Sequence, residues 1–281
     1  MKTVAFSKVQ GLGNDFIVID ARHQQLDVKA LKAQAPSLCA RRFGIGADGI
    51  VLLVASDTAD FGMLIINADG SVPEMCGNGL RCLARFCYDK NITDKDSFTV
   101  ETGAGVLAVQ LCFSGLELLA FEVDMGKPHY DDSIHSEPVS VQKRTLESTL
   151  YSGDYMAVSM GNPHAVILNP SDYSFEFLEK IGNDLQTHDQ FPSGVNLGLA
   201  RVLNVRQIEL SVWERGAGAT LACGTGACAA AVAAMSEGLC DRQVQVTLPG
   251  GTLEIEWRDS DDHVMMRGPA EHVYDAEFQL G

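Results

Sequence analysis

Five local matches run through the 281-residue chain at nearly one offset. GLGNDFIVI, around Asn14, is echoed by SMGNPHAVI, around Asn162, 148 positions on. GIGADG, with Asp48, is echoed by PSGVNLG, with Asn196, again at 148. Asn67 pairs with Glu214, and Cys76 in MCGNGLRC pairs with Cys223 in ACGTGAC, both at 147. TGAGVL at 102–107 pairs with LPGGTL at 248–253, at 146. One such match means little. Five in the same order predict an internal duplication, and two copies are too few for a solenoid. The expectation is two similar domains facing one another. With 46% hydrophobic and 21% charged residues, there is enough apolar surface to give each copy a core.

The element pattern repeats as well. Short β-branched or aromatic runs at Phe6–Val9, Phe16–Asp20, Ile50–Val54 and Met63–Asn67 predict strands. Leu26–Cys39 predicts a helix interrupted near Pro36. Leu80, Leu83, Ala84 and Cys87 form the buried stripe of a helix over Gly77–Lys90. Strands follow near Phe98–Glu101, Val106–Leu111 and Leu116–Asp124. Residues 126–152 are polar, contain Pro128 and Pro138, and predict a junction. Strands resume at Met156–Ser159, Ala165–Leu168, Val195–Ala200 and Gln207–Trp213. A helix from Thr225 to Glu237 should stop at Gly238, and strands near Val244–Leu248, Thr252–Trp257 and Val264–Arg267 close the chain.

Charge and cysteine usage narrow the function. A net charge of −16 argues against wrapping nucleic acid and against an anionic membrane surface. Gly216–Ser236 carries no charge, but its Ala and Gly content suits a close-packed internal helix better than a bilayer span. The first residues offer only Val4, Ala5 and Phe6 as an apolar stretch, too little for a secretory signal. The expected compartment is therefore a reducing one, and the eight cysteines are expected to be free thiols.

Two of those thiols share a context that the others lack. Cys76-Gly77-Asn78-Gly79 and Cys223-Gly224-Thr225-Gly226 each open a predicted helix. The first N–H groups of a helix have no internal partners, so such an end cradles an anion such as a carboxylate. Its partial positive charge also favours a thiolate. A free Cys has a pKa of about 8.5, so about 3% is ionised at pH 7; reaching about 7 takes roughly 2 kcal/mol, near the most a helix end supplies. Facing copies would place one sulfur on each side of the carbon next to a shared carboxylate. One thiolate would remove the α-proton, and the other thiol would deliver a proton from the far side, with no metal and no pyridoxal cofactor. For Cys39, Cys82, Cys87, Cys112, Cys228 and Cys240 the expectation is simple packing. The cysteine spacings are not those of paired zinc knuckles.

Other motifs weigh less. Gly44-Ile45-Gly46-Ala47-Asp48-Gly49 fits GxGxxG, but it follows a basic helical stretch and precedes a strand, the reverse of a dinucleotide site. Asn14, Asn67, Asn162 and Asn196 are either turn formers at positive φ or ligand contacts. Glu214-Arg215 is either an exposed ion pair or a fork for a second carboxylate beside an acceptor for an ammonium group. His164, beside Pro163, reads as a hydrogen-bonded structural group rather than a general base.

Together, GLGNDF, RRFGIGADG, NADGS, EMCGNGLRC, MGNPH, GVN, ERGAGATLACGTGACA and GPAEHVYDA cover nearly the whole chain and resemble the diaminopimelate epimerase family. The resemblance implies a cofactor-independent isomerase that interconverts LL- and meso-diaminopimelate for lysine and peptidoglycan synthesis in the cytoplasm. It assigns Cys76 and Cys223 as the acid–base pair. Gly77, Asn78, Gly224 and Thr225 would hold the reacting carboxylate through backbone N–H groups. Asn14, Asn67, Asn162, Asn196, Glu214 and Arg215 would bind the rest of the substrate, with His164 in support.

The implied fold is α/β (α+β): two pseudo-symmetric domains, each a curled, mostly antiparallel β-sheet around a central helix. Residues 1–125 and a returning strand over 271–281 would form one domain, residues 126–270 the other, with the active site in the cleft between. Tyr274 resembles a residue at the family's homodimer contact. The chain departs from the family at Gly49, where some members carry a substrate-contacting Gln, and at Ala219, where a polar or acidic residue is common. Two alternatives stay open: a same-fold racemase of another amino acid, such as histidine, and a non-catalytic ligand-binding or thiol-redox protein.

Overall fold

The computed structural model describes residues 2–24, 26–73, 75–128 and 141–281. The chain divides into two compact units, residues 1–124 with 267–281, and residues 125–266. The fold is mixed α/β, with seventeen strands and four helices among the described residues.

In the first unit, β1 (Lys2–Gly11) pairs antiparallel with β2 (Asn14–Asp20). Helix α1 (Val28–Cys39) crosses over to β3 (Gly49–Val54), which lies parallel to β2. β4 (Phe61–Asn67) returns antiparallel to β3 and leads into helix α2 (Gly77–Asp89). β5 (Ser97–Thr102) then joins β4 in parallel, and β6 (Gly105–Ser114) and β7 (Glu117–Asp124) continue as an antiparallel meander.

The middle of the sheet is covered on both faces, so β2 and β3 read as nearly continuous apolar runs. Ile17, Ile19, Ile50, Leu52 and Ile66 pack against Leu31, Ala35 and Cys39 of α1. Helix α2 touches β1, β2, β3, β4, β6, β7 and the C-terminal strand, so the sheet curls around it.

The second unit repeats this order. β8 (Gln142–Glu147) forms a hairpin with β9 (Ser152–Ser159), which pairs antiparallel with β10 (Pro163–Leu168). Helix α3 (Phe175–Leu185) crosses to the parallel β11 (Asn196–Asn204), and β12 (Gln207–Glu214) returns antiparallel. β13 (Gly218–Thr220) adds a short hairpin to β12 and leads to helix α4 (Gly224–Ser236). β14 (Gln243–Leu248) lies parallel to β12, and β15 (Gly251–Trp257) pairs antiparallel with it. Helix α4 touches β9, β10, β11, β12, β14 and β15. Thus β1–β6, α1 and α2 recur as β9–β12, β14, β15, α3 and α4. β16 (Val264–Gly268) precedes the last strand, β17 (Glu271–Leu280), which pairs with β1 along its length.

Besides the short β13, three elements differ from the sequence reading. Helix α1 is continuous through Pro36. Proline removes one helical bond and costs roughly 3 kcal/mol in a free helix. Here the Asp27 cap on Lys29 and Ala30 and the buried stripe Leu31–Ala35–Cys39 outweigh it.

The sequence pattern does not mark helix α3, although the duplication calls for a counterpart of α1 at that place. Its apolar stripe, Leu178, Ile181 and Leu185, packs on Ile167, Leu197 and Leu199. Gly182 breaks the sequence pattern because Trp213 lies there; a Cβ at 182 would sit 2.3 Å from the Trp213 ring.

The polar junction lies partly outside the described residues, at 129–140, but Gln142–Glu147 is a strand. Only Leu146 is buried, so hairpin bonding orders it without an apolar alternation. The uncharged Ala-rich stretch is helical only from Gly224, and the helix is buried on nearly every face. Gly238, at φ +69, follows its C-cap. Among the described residues no helix is long and apolar enough to cross a membrane.

Candidate active site

Each cysteine of the repeated turn is the N-cap of its helix. Cys76 has extended backbone, φ −147 and ψ 110, and its Sγ accepts from the Gly79 N–H at 3.3 Å. Cys223 has φ −128 and ψ 109, and its Sγ accepts from the Gly226 N–H at 3.4 Å. A sulfur thus stands where Ser, Thr or Asp normally caps a helix. Cys76 is partly exposed, whereas Cys223 is buried.

An asparagine from the first repeated loop reaches the second helical residue in both units. In the first unit, Asn78 donates through Nδ2 to Asn14 Oδ1 at 3.1 Å. In the second, Asn162 donates through Nδ2 to Thr225 Oγ1 at 3.2 Å. Neither pair is a turn device: Asn14, Asn67, Asn162 and Asn196 are all absent from the positive-φ residues.

Around Asn14 the first unit holds a charged network. Asn14 donates to Asp48 Oδ2 at 2.8 Å, which also takes the Asp15 N–H at 3.0 Å. Arg41 grips Asp48 Oδ1 at 2.5 Å and Asp15 at 2.8 Å. The buried Lys8 pairs with Asp15 and donates to the Gly46 carbonyl. Burial works to raise the Asp15 carboxyl, but Arg41 and Lys8 hold it below its ordinary value.

The glycine-rich 44–49 segment is therefore a helix-to-strand turn that presents Asp48, not a nucleotide loop. At Gly49 a Cβ would lie 2.7 Å from the Ile66 carbonyl, so this backbone leaves no room for a side chain at that position. Asn67, at the end of β4, donates to Ser71 Oγ at 2.9 Å and is not bonded to the Asn14–Asn78 pair.

In the second unit most of the predicted residues meet. His164 Nε2 lies 2.9 Å from Asn162 Oδ1, and Asn162 in turn holds Thr225. His164 and Asn196 are register partners across β10 and β11. Asn196 is buried; it donates to the Pro163 carbonyl at 3.0 Å and accepts the Arg215 N–H at 2.8 Å. Glu214 and Arg215 are separately engaged: Glu214 accepts from Thr220 Oγ1 at 2.5 Å, and Arg215 donates to the Ser193 carbonyl at 3.1 Å. Burial pushes the His164 pKa down to about 3, with Arg215 adding repulsion, so this imidazole is neutral at physiological pH.

Burial also corrects the expectation that a helix end alone would ease ionisation of Cys223. Desolvation raises its pKa well above the ordinary value, and the Glu214 carboxylate reinforces the rise. The Thr225 hydroxyl, 3.6 Å from the sulfur, and the Gly226 N–H pull the other way without offsetting it.

Tyr274 stands apart from these groups, on β17. It is partly exposed, with its ring edge-on to Phe6 at 6.0 Å. Of the six cysteines expected to pack, Cys39, Cys82, Cys87 and Cys228 are buried. Cys112 and Cys240 are not, and lie 3.8 Å from the Gln110 and Asn204 carbonyls on less enclosed parts of the fold.

Two contributors escaped the sequence reading. Arg81 is fully buried; it donates to Asn78 Oδ1 at 2.9 Å and to the Pro269 carbonyl at 3.2 Å. Asp48 marked the repeat without suggesting a role. A charged residue inside the all-buried start of α2 was the available signal for Arg81.

The fold is shared with solved structures of another description. A PhzF-family phenazine biosynthesis protein from Bacillus anthracis superposes with a TM-score of 0.73 at 16% identity, covering 100% of both chains. A hydroxyproline epimerase from Agrobacterium vitis superposes with a TM-score of 0.71 at 12% identity, covering 99% of this chain and 91% of that one. These define the class, a mixed α/β fold common to PhzF-like proteins and amino-acid epimerases.

Sequence goes further. Residues 6–130 and 156–273 match the diaminopimelate epimerase family. The chain is 46% identical to a diaminopimelate epimerase of Carboxydothermus hydrogenoformans and 41% identical to one of Methanococcus maripaludis, each over 98% of this chain and 99% of the relative. The chain belongs to the diaminopimelate epimerase family and is an isomerase of that type.

Proposed function

We propose that this protein interconverts LL- and meso-diaminopimelate by a two-base mechanism, with Cys76 and Cys223 acting on opposite faces of one α-carbon. The supporting observation is the repeated cap: in each unit a cysteine sulfur takes the N–H of the third helical residue, and an asparagine holds the second. The reacting carboxylate would lie against the N–H groups of Gly77 and Asn78 and of Gly224 and Thr225, whose partial positive charge offsets the carbanion.

In the resting enzyme Cys223 is the thiol, because burial and Glu214 disfavour its charge. Cys76 then serves as the thiolate. It takes the α-proton as the C–H electron pair moves onto the α-carbon. That carbon takes the Cys223 proton from the other side, which inverts the centre. The two sulfurs have then exchanged roles, and the proton count is unchanged. Asn14, Asn67, Asn162, Asn196, Glu214 and Arg215 would bind the rest of the substrate, including its distal amino-acid end, with His164 holding Asn162 in place. No organic cofactor is required by this scheme.

The reaction would serve lysine and peptidoglycan synthesis in the cytoplasm. The exposed Val273 and Tyr274 on β17 suit a homodimer contact.

The test is α-proton exchange in D2O under reducing conditions, followed by NMR. Diaminopimelate should exchange, and histidine and other mono-carboxylates should not. Cys76→Ala and Cys223→Ala should each abolish epimerisation. Normal turnover in either variant would refute the two-base assignment, and exchange confined to a mono-carboxylate would refute the substrate.

A further inference from the structure

We infer that Asp48 and Arg81 are positioning residues that lock the Asn14 and Asn78 side-chain amides into one directed hydrogen-bond relay at the start of α2. The inference rests on the proposed role of Asn14 and of the Asn78 turn in holding substrate. Asp48 Oδ2 accepts from Asn14 Nδ2 at 2.8 Å, Asn14 Oδ1 accepts from Asn78 Nδ2 at 3.1 Å, and Asn78 Oδ1 accepts from Arg81 at 2.9 Å. An ionised carboxylate can only accept, and a guanidinium can only donate. The two ends of the relay therefore have fixed and opposite polarity.

A carboxamide has two nearly isosteric orientations, and only its partners choose between them. Turning Asn14 alone would set oxygen against Asp48 and nitrogen against Asn78. Turning Asn78 alone would set nitrogen against Arg81. Turning both restores the middle bond but leaves both ends mismatched. One arrangement survives, and it fixes the side chain of the residue whose backbone N–H is proposed to hold the reacting carboxylate. Arg81 is fully buried and also bonded to the Pro269 carbonyl, so the donor end is anchored.

The second repeat has no such lock. Asp48 is matched there by Asn196, Asn78 by Thr225 and Arg81 by Cys228. Asn196 is turned to the Pro163 carbonyl and the Arg215 N–H, and Asn162 is anchored by His164 instead. The duplicated framework thus carries a charged lock in one copy and a neutral network in the other.

Side-chain amide exchange measured by 15N–1H NMR on the full chain tests this. In the unsubstituted protein, Asn14 and Asn78 should each show one proton exchanging at least about tenfold more slowly than exposed asparagines. Absence of those slow protons overturns the relay even if no variant folds. In Asp48→Asn, a carboxamide that can donate replaces the accept-only end. Exchange should then quicken by about tenfold at Asn78 as well as at Asn14, although Asn78 does not touch position 48. Arg41→Gln removes a grip on Asp48 without changing its polarity, and should leave the Asn78 signal in place.

In kinetics with LL-diaminopimelate, Asp48→Asn should raise KM about tenfold, the loss of one charge-assisted bond, with kcat within about twofold. An Asn78 amide indifferent to Asp48→Asn, or an unchanged KM, overturns the inference. Slow amide protons in a protein that never exchanges the α-proton of diaminopimelate would instead sink the substrate reading and leave the lock standing.

Discussion

Raising the pH from 8 to 10 should destabilise this protein by about 4 kcal/mol through two buried thiols alone, Cys82 and Cys87. Cys82 and Cys87 are fully buried, and Cys223 nearly so. Burial pushes Cys87 up to about 12 and raises Cys82 and Cys223 strongly as well. Below the ordinary value of about 8.5 both folded and unfolded chains keep the thiol proton, and the full stability is present. Above it the unfolded chain releases the proton while the folded chain holds it. Stability is then lost at about 1.4 kcal/mol per pH unit per thiol until the folded pKa is passed.

Between pH 8 and pH 10 about 1.4 units of that range count for each thiol, which gives about 4 kcal/mol for two, and Cys223 adds in the same direction. A net stability of 5–15 kcal/mol is typical for a folded domain, so the effect is large. Cys39, raised to about 11, works in the same direction. Urea unfolding at fixed ionic strength under reductant measures the fall. Cys87→Ala will weaken packing at every pH, but the fall from pH 8 to 10 should shrink by about 2 kcal/mol. A fall unchanged to within about 0.5 kcal/mol would show that Cys87 does not keep its proton in the folded chain, and would remove the same argument for Cys223 as the resting acid.

At the acid end the sign reverses. His164, lowered to about 3, is neutral in the folded chain while the unfolded chain protonates below about 6.5, so stability is lost as the pH falls from 6.5 towards 3. His164→Gln should flatten that loss by about 2–3 kcal/mol near pH 4.5, read by denaturant titration at each pH. Gly182→Ala should lower stability by about 1–2 kcal/mol, because overpacking against Trp213 outweighs the better helix propensity of alanine; a higher melting temperature would refute the close approach. Thr225→Val removes a hydroxyl that favours the Cys223 thiolate, so alkylation of Cys223 by iodoacetamide, located by peptide mass, should need a still higher pH. An unchanged alkylation profile would show that the Thr225 hydroxyl does not reach the sulfur in solution.

Much of this architecture was legible in the residues because it depends on short-range rules. The stripe Leu80, Leu83, Ala84 and Cys87 marks helix α2, and the Gly-rich turns place Cys76 and Cys223 at helix starts without reference to anything distant. Helix α3 was missed because its stripe is interrupted at Gly182, a gap that makes sense only once Trp213 is known to fill it. Pro36 misled for the opposite reason: its local cost is real, but contacts far away in sequence repay it.

By itself, then, the sequence determined the duplication, the mixed α/β class and the two cysteine turns, since periodicity, turn chemistry and self-similarity are written along the chain. Only the tertiary structure decided the state of those groups. Desolvation depends on everything packed around a side chain, and so the Cys223 pKa rises and the His164 pKa falls against their ordinary values. Bonding across 34 and 64 positions, from Asp48 to Asn14 and from Asn14 to Asn78, is likewise invisible until the strands and α2 bring those side chains together.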